Sequence, residues 1–173
     1  LGDRPCILDD NFTFHRDGKW EFNSDNTIWI DSEGNGGWLG PVEACYDEDE
    51  PGVFTASTGE DVSAFGNGGD YTYDFVAGES ITLNGEGAFI GLANKTETGD
   101  NYIPQNTKRY EMIKLVEGDI ADSLQMAIAI DGGAGGYWNF YLVSYKDIND
   151  LPDIPSSVPT AQFTSEKDGR TVT

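Results

Sequence analysis

Residues 9–22 read DDNFTFHRDGKWEF, and this stretch carries the clearest local fold signal in the chain. Phe12 and Phe14 alternate with polar residues before an Asp-Gly pair, and Trp20 and Phe22 alternate after it. Alternation with a period of two predicts two strands. Asp-Gly between them predicts a type I′ hairpin, in which both central residues have positive φ. The four aromatic side chains then share one face, which we interpret as core.

Further strands are expected at a spacing of about ten residues. The segments with this pattern are residues 27–30, 71–75, 81–83, 88–92, 110–116, 124–130 and 137–145. With 22 Gly and 38% hydrophobic residues, a chain of 173 residues has turns enough for many short strands and apolar side chains enough for one main core. We therefore predict an all-β fold: an antiparallel, jelly-roll-like β-sandwich of the carbohydrate-binding-module type over residues 1–148.

The last of these segments is the strongest strand, and it has two different faces. One face is fully apolar and predicts core: Trp138, Phe140 and Leu142. The other is amphipathic: Tyr137, Asn139, Tyr141, Val143 and Tyr145. An amphipathic aromatic face suits either a partly covered sheet or a sugar-binding surface, and the pattern leaves both open.

Charge narrows the range of partners. The formal net charge is −21, with only 10 Lys and Arg against 31 Asp and Glu. Nucleic-acid binding needs clustered basic residues, so we expect no nucleic-acid partner and no anionic polymer or lipid. Neutral ligands and divalent cations remain. No apolar run approaches the roughly 18 residues that a membrane span requires, and we expect a soluble mature piece of a longer chain that is not transmembrane.

Residues 29–46, WIDSEGNGGWLGPVEACY, predict a long functional loop because glycines and aromatics occur there without a period. If Ile28 and Ile30 fill the core, Trp29 points the other way, outward or under the loop. Trp38, flanked by glycines, is the main candidate for an exposed platform on which a sugar ring stacks. The candidates that complete such a site are Trp29, Tyr46, Tyr102 and Tyr137, with Asp31, Glu33 and Asn101 as hydrogen-bonding partners. The alternative is that Trp38 caps one end of the sandwich.

The same loop contains an imperfect calcium pattern. Asp31, Glu33 and Asn35 occupy positions one, three and five, with Gly36 at six, as in loops that wrap Ca²⁺. Position twelve is Val42, so an ordinary glycine-rich loop is the alternative. We expect no required cofactor, with Ca²⁺ possible at these residues.

The two cysteines predict a disulfide. Cys6 and Cys45 are an even pair in an acidic, aromatic-rich chain of exported character, and two buried thiols are the alternative. Neither residue belongs to a CxxC pair, which argues against a redox or zinc site.

The sequence contains no recognisable set of catalytic residues. His15 is the sole imidazole, and neither a GxSxG elbow nor HExxH is present. A pair of glycosidase carboxylates stays possible among so many acids, but no strand shows an alternating catalytic pattern. We expect a protein that is not an enzyme.

The C-terminal residues predict a change of domain. Residues 151–159, LPDIPSSVP, read as part of a linker over residues 149–159, because repeated proline fixes extended backbone. Residues 159–163 then read Pro-Thr-Ala-Gln-Phe. Residues 160–173 resemble the start of a PKD domain, an immunoglobulin-like module that opens with Pro-x-Ala-x-Phe.

Three longer motifs carry a family resemblance. They are DDNFTFHRDG at residues 9–18, LNGEGAFIGL at residues 83–92 and GGAGGYWNFYL at residues 132–142. The chain is similar in these to β-sandwich modules of Bacteroidota surface lipoproteins and secreted glycoside hydrolases of polysaccharide-utilisation systems. The resemblance implies a surface glycan-binding protein, extracellular or on the outer membrane, with laminarin-type β-glucan as a plausible ligand. The alternatives are a structural spacer or assembly module and, less favoured, a glycoside hydrolase.

Overall fold

The computed structural model describes residues 4–130, 136–147 and 162–165, the last four and Ile130 by their backbone only. Its strands are β1 (Asn11–Phe14), β2 (Lys19–Asn23), β3 (Thr27–Ile30), β4 (Ala44–Asp47), β5 (Tyr71–Val76), β6 (Ser80–Asn84), β7 (Lys95–Thr96), β8 (Gly99–Asp100), β9 (Thr107–Val116), β10 (Ala121–Ile130), β11 (Gly136–Tyr145) and β12 (Gln162–Ser165). Helical structure in the described residues is limited to three 3₁₀ turns, at Pro5–Ile7, Glu33–Asn35 and Ser63–Phe65. The predicted all-β class is confirmed.

Eight strands form one curled sheet in the order β11-β10-β9-β6-β5-β2-β1-β12. Every neighbouring pair is antiparallel except β1 and β12, which are parallel. The outermost strands β11 and β12 come within 8 Å of each other in Cα–Cα distance, so the sheet curls back toward itself. In the hydrogen-bonded order, β11 is the edge strand at one end and β12 is the edge strand at the other.

The first hairpin has the predicted strands but a different turn. Phe12 lies opposite Phe22 and Phe14 lies opposite Trp20, and the indole of Trp20 is fully buried. Among the turn residues, only Gly18 has positive φ (89°), so the type I′ prediction is wrong. Four residues connect the strands, which leaves room for a turn that needs a single left-handed position, and glycine takes it.

Alternating residues of the sheet build the main core on its inner face. This core contains Phe12, Phe14, Trp20, Tyr71, Ile81, Leu83, Ala88, Ile90, Tyr110, Leu124, Met126, Ile128 and Leu142. The predicted apolar faces of β10 and β11 are confirmed in it, since Leu124 pairs with Leu142. At roughly 2 kcal/mol for each fully buried large side chain, this core is the main stabilising element of the fold.

A second layer covers part of the inner face. The ribbon of β3 and β4 and the loops around it enclose a second core of Ile28, Ile30, Trp38, Val53, Ala56, Val62, Phe65, Phe89 and Ala93. Residues 88–92 belong to this region and form no strand, contrary to the prediction. The hydroxyl of Tyr110 bonds the backbone of Ile90 instead, taking its N–H at 2.8 Å and donating to its C=O at 3.2 Å.

The described part of the predicted C-terminal module is β12. It pairs with β1 along residues 162–165, with Phe163 opposite Phe12. The predicted linker, residues 149–159, and the rest of residues 160–173 lie outside the described residues. The division into domains stays a prediction.

Candidate functional site

Trp38 lies inside the second core. Its ring is 1% exposed and stacks on Phe65 with a centroid distance of 5.4 Å, and its Nε1 donates to the carbonyl of Val53 at 2.7 Å. The tight path of the loop permits this, because a Cβ on Gly37 would meet the carbonyl oxygen of Asp31 at 1.6 Å. A buried ring has no face for a sugar. The expected platform is therefore wrong, and the alternative, a cap on a core, fits the geometry.

Trp29 follows the predicted alternation but is covered. It points away from the isoleucines of β3 and packs with the Cys6–Cys45 disulfide and Leu92. Its Nε1 donates to Oδ1 of Asp31 at 2.6 Å. The disulfide prediction is confirmed. The bridge packs on the indole of Trp29, which the sequence pattern allowed to face outward.

The remaining loop candidates hold the loops in place. Tyr46 is half-buried against the second core. The hydroxyl of Tyr102 lies 2.9 Å from Oγ1 of Thr58, and Oδ1 of Asn101 accepts the backbone N–H of Ile103 at 2.9 Å. The structure does not gather these residues around an exposed Trp38.

Asp31 is a buried ion-pair partner. Its Oδ2 lies 2.8 Å from Nζ of Lys95 and accepts a hydrogen bond from Asn94 at 3.1 Å. Burial alone would raise the pKa of Asp31, but the hydrogen bonds from Lys95 and Trp29 hold this pKa below its usual value. The Lys95 ammonium neutralises the carboxylate that the calcium prediction needed.

The other two predicted calcium ligands also have protein partners. Glu33 accepts the backbone N–H of Gly40 at 3.2 Å and the hydroxyl of Ser57, while the amide of Asn35 donates to Glu43. Among the described residues, no group of three or more His, Cys, Asp or Glu side chains is placed to hold a metal. The loop closes through its own hydrogen bonds, and the structure does not bring these three residues together as ligands of one calcium ion.

Asp31 opens instead onto a cleft of about 610 Å³, here called the Arg4 cleft. It is lined by Arg4, Asp31, Asn35, Glu43, Lys95, Gly99, Asp100 and Trp138. Arg4, Lys95 and Trp138 were not predicted as site residues. Trp138 carried a core pattern, and nothing in the sequence pairs Lys95 with a carboxylate 64 positions earlier.

The second surface is the outer face of β11 and β10, which the second layer does not cover. Tyr137 and Tyr141 are 51% and 64% exposed on this face. Their Cα atoms are about 13 Å apart, since strand residues advance by about 3.3 Å. Between them lies Asn139, and Gln125 on β10 donates to the Tyr141 hydroxyl at 2.9 Å. We call these four residues the tyrosine face.

The tyrosine face differs from the rest of the same sheet surface. The register places Glu111 of β9, Arg109 of β9 and Thr82 of β6 on that surface, and Lys19 and Thr72 continue it on β2 and β5. These are polar or charged side chains, as expected for a face in water. Val76 of β5 and Val116 of β9 are also exposed on this surface, but among the described residues its exposed aromatic rings lie on β11.

The chain has no match among known proteins: no protein-family model, no curated protein and no solved structure is similar to it. Among the described residues, no helix is long and apolar enough to cross a membrane.

Proposed function

We propose that the chain is a non-catalytic carbohydrate-binding module that captures a neutral polysaccharide on the tyrosine face. The exposure of Tyr137 and Tyr141 on a sheet surface whose other described strands carry no aromatic side chain supports this proposal. Laminarin-type β-glucan, which the sequence resemblance suggests, is the first ligand to test. The proposed setting is a β-sandwich module within a longer chain, extracellular or on an outer membrane, and the Cys6–Cys45 bridge supports export.

The chemistry of the face suits sugars. A tyrosine ring offers a flat apolar surface for the C–H groups of a pyranose ring, and its hydroxyl keeps the exposed residue compatible with water. The amides of Gln125 and Asn139 provide both donors and acceptors for sugar hydroxyls. Two rings about 13 Å apart on one strand fit an extended chain better than a single sugar.

Charge explains why the ligand is neutral. A chain of net charge −21 repels anionic polymers at low ionic strength, whereas an uncharged glucan feels no such field. Stacking and hydroxyl hydrogen bonds do not depend on salt in the way that phosphate or sulfate contacts do. Binding on this face is therefore expected to persist at high salt.

Affinity electrophoresis tests the proposal. Laminarin in the gel should retard the protein, and Tyr137→Ala and Tyr141→Ala should each weaken binding about tenfold, the equivalent of about 1.4 kcal/mol. Tyr141→Phe keeps the ring and should retain most of the affinity. Phe75→Ala is the matched control, because Phe75 is a half-exposed aromatic on the opposite face. If no neutral glucan retards the protein, or if the tyrosine variants bind as the wild type does, the proposal is wrong.

An assembly module is the second candidate, and one observation favours it. The hairpin between β9 and β10 exposes apolar side chains at Ile113, Leu115, Val116 and Ile120. Such a group is typical of a contact surface. A spacer with no glycan affinity would associate with another protein through this hairpin, and sedimentation or cross-linking would detect the association. Laminarin would not retard such a protein in the gel.

A further inference from the structure

The Arg4 cleft is a second concave surface, and the tyrosine face does not account for it. Its volume of about 610 Å³ lies in the range of small-molecule sites. Trp138 lines the cleft, and its neighbour Tyr137 belongs to the tyrosine face. Successive strand residues point to opposite faces, so the two surfaces lie on opposite sides of β11.

Arg4 is held rigidly at the cleft. Its guanidinium lies over the ring of Trp29 at 5.1 Å and over the ring of Trp138 at 5.2 Å. Among the described residues its one ionic contact is with Asp31 at 3.7 Å, beyond hydrogen-bond distance, and its buried Nε has no acceptor there. The two indoles thus orient a planar set of donors whose hydrogen bonds are unused.

Lys95 and Asp31 form the base of the cleft and are already satisfied. The Lys95 ammonium contacts Asp31 at 2.8 Å, Asp100 at 3.0 Å and the carbonyl of Asn35 at 3.2 Å. An ammonium has three donors, so this one has none to spare. These two residues fix the geometry and leave ligand contacts to the rim.

The rim supplies acceptors opposite Arg4. Asp100 uses Oδ2 for Lys95, and its side chain remains 35% exposed. Glu43 also lines the cleft, with Oε1 accepting from Asn35. The cleft therefore presents both a guanidinium donor group and carboxylate oxygens.

The charges of the cleft nearly cancel. Arg4 and Lys95 oppose Asp31, Asp100 and Glu43, which leaves one negative charge in a strongly acidic protein. An added carboxylate or phosphate would meet net repulsion. A hydroxyl group both accepts and donates, so neighbouring hydroxyls can accept from Arg4 and donate to Asp100.

We propose that the Arg4 cleft is a second saccharide site, which binds a short neutral sugar or the end of a glycan chain. Arg4 and Asp100 are its recognition residues, and Trp138 forms its apolar wall. The proposal rests on the proposed function for the class of ligand, but its residues and its test are separate. A module with both sites holds a chain along the tyrosine face and a chain end in the cleft.

Calorimetric titration with laminarihexaose, a short neutral probe, tests the cleft. Arg4→Gln should weaken hexaose binding at least about tenfold, because it removes hydrogen bonds from a charged donor. Arg4→Lys keeps the charge but loses the planar fork, and it should also bind weakly. Arg16→Gln is the matched control for loss of one exposed positive charge. A hexaose is long enough to reach both tyrosine rings, so Arg4→Gln is also compared in a Tyr137→Ala, Tyr141→Ala background. That background should weaken laminarin retardation and keep the hexaose binding that depends on Arg4.

The outcomes separate the two proposals. Arg4→Gln and Asp100→Asn proteins that fold, by an unchanged circular dichroism spectrum, and bind hexaose like the wild type would overturn the cleft site. Tighter binding of an oligouronate than of the neutral hexaose would overturn its ligand class. Arg4-dependent hexaose binding, together with laminarin retardation that Tyr137→Ala and Tyr141→Ala leave unchanged, would sustain the cleft and refute the tyrosine face.

Discussion

Replacing Lys108 by methionine tests how the two layers of the fold are joined. Lys108 lies on the inner face of β9 and is 3% exposed. Its Nζ donates to the carbonyl of Ala93 at 2.7 Å and lies 6.0 Å and 5.7 Å from the ring centroids of Phe65 and Phe89. Methionine has a similar unbranched shape and no charge, so it fills the site while removing the amine.

The magnitude follows from the titration of the amine. Burial lowers the pKa of Lys108 from 10.5 to about 7. Between these values the unfolded chain holds a proton on this lysine that the folded protein lacks, so the contribution of Lys108 to stability rises by about 1.4 kcal/mol per pH unit. Over the whole window, the cost of burying this lysine changes by on the order of 5 kcal/mol.

The difference in unfolding free energy between the wild type and Lys108→Met isolates the effect of the ionisation of Lys108. Below pH 7 the folded wild type must keep a buried ammonium, so removal of the charge should make Lys108→Met more stable by a few kcal/mol. This gain is reduced by about 1–3 kcal/mol, because the variant leaves the carbonyl of Ala93 without its hydrogen bond. As pH rises toward 10.5 the advantage should disappear, since the folded wild type then holds a neutral amine at little cost. Other groups titrate equally in both proteins and cancel from the difference.

Urea unfolding followed by tryptophan fluorescence from pH 6 to 10 measures both stabilities. The midpoints should converge with increasing pH while the slope of free energy against urea stays constant. A difference in stability that is independent of pH, or a methionine variant that is less stable at pH 6, would refute a desolvated Lys108.

Three further predictions concern stability. Burial, aided by the charges of Asp9 and Glu48, raises the pKa of Asp10 to about 9, so the contribution of Asp10 to stability falls as pH rises from about 4 to 9. Asp10→Asn should gain on the wild type across pH 4–7 by on the order of 4 kcal/mol in urea titrations, and parallel curves would contradict this. Gly37→Ala places a Cβ 1.6 Å from the Asp31 carbonyl oxygen and should lower the free energy of unfolding by at least about 3 kcal/mol in thermal unfolding. In the control Gly34→Ala the nearest contact is at 4.0 Å, and its free energy of unfolding should stay within about 0.5 kcal/mol of the wild type. Equal effects of the two variants would show that the loop can move aside. Serine at both Cys6 and Cys45 should lower the free energy of unfolding by about 4 kcal/mol, because 39 positions separate the bridged residues, and an unchanged urea midpoint would count against the bridge.

Alternation predicted most of the sheet because the inner face of each strand is buried by its neighbours. Phe12 and Phe14, or Leu124 and Met126, need only period two to be assigned to the core. Residues 88–92 show the limit of that reasoning. An apolar run of that length suits a buried strand, but Tyr110 supplies hydrogen bonds that a neighbouring strand would have supplied.

The loop residues were harder to place because their environment is made by distant parts of the chain. Trp38 is buried by Phe65 and the backbone of Val53, and neither contact leaves a trace in the local pattern. The same holds for Asp31, whose spacing to Glu33 and Asn35 suggested a cation and whose partner in the structure is Lys95. The glycines allow the loop to fold inward, but they would equally allow it to fold outward. The sequence therefore does not decide between the two conformations.

The tyrosine face, by contrast, is visible in both sequence and structure, and this agreement bears on function. A strand face that serves only to meet water has no need of large rings, and the neighbouring strands of this sheet carry Thr82, Arg109 and Glu111 there. A ring held on β11 costs little conformational entropy to present, since the strand is already fixed by its pairing with β10. Tyr137 and Tyr141 are thus already held in place on the surface, and the polysaccharide chain that we propose as their ligand would also use the amides of Asn139 and Gln125.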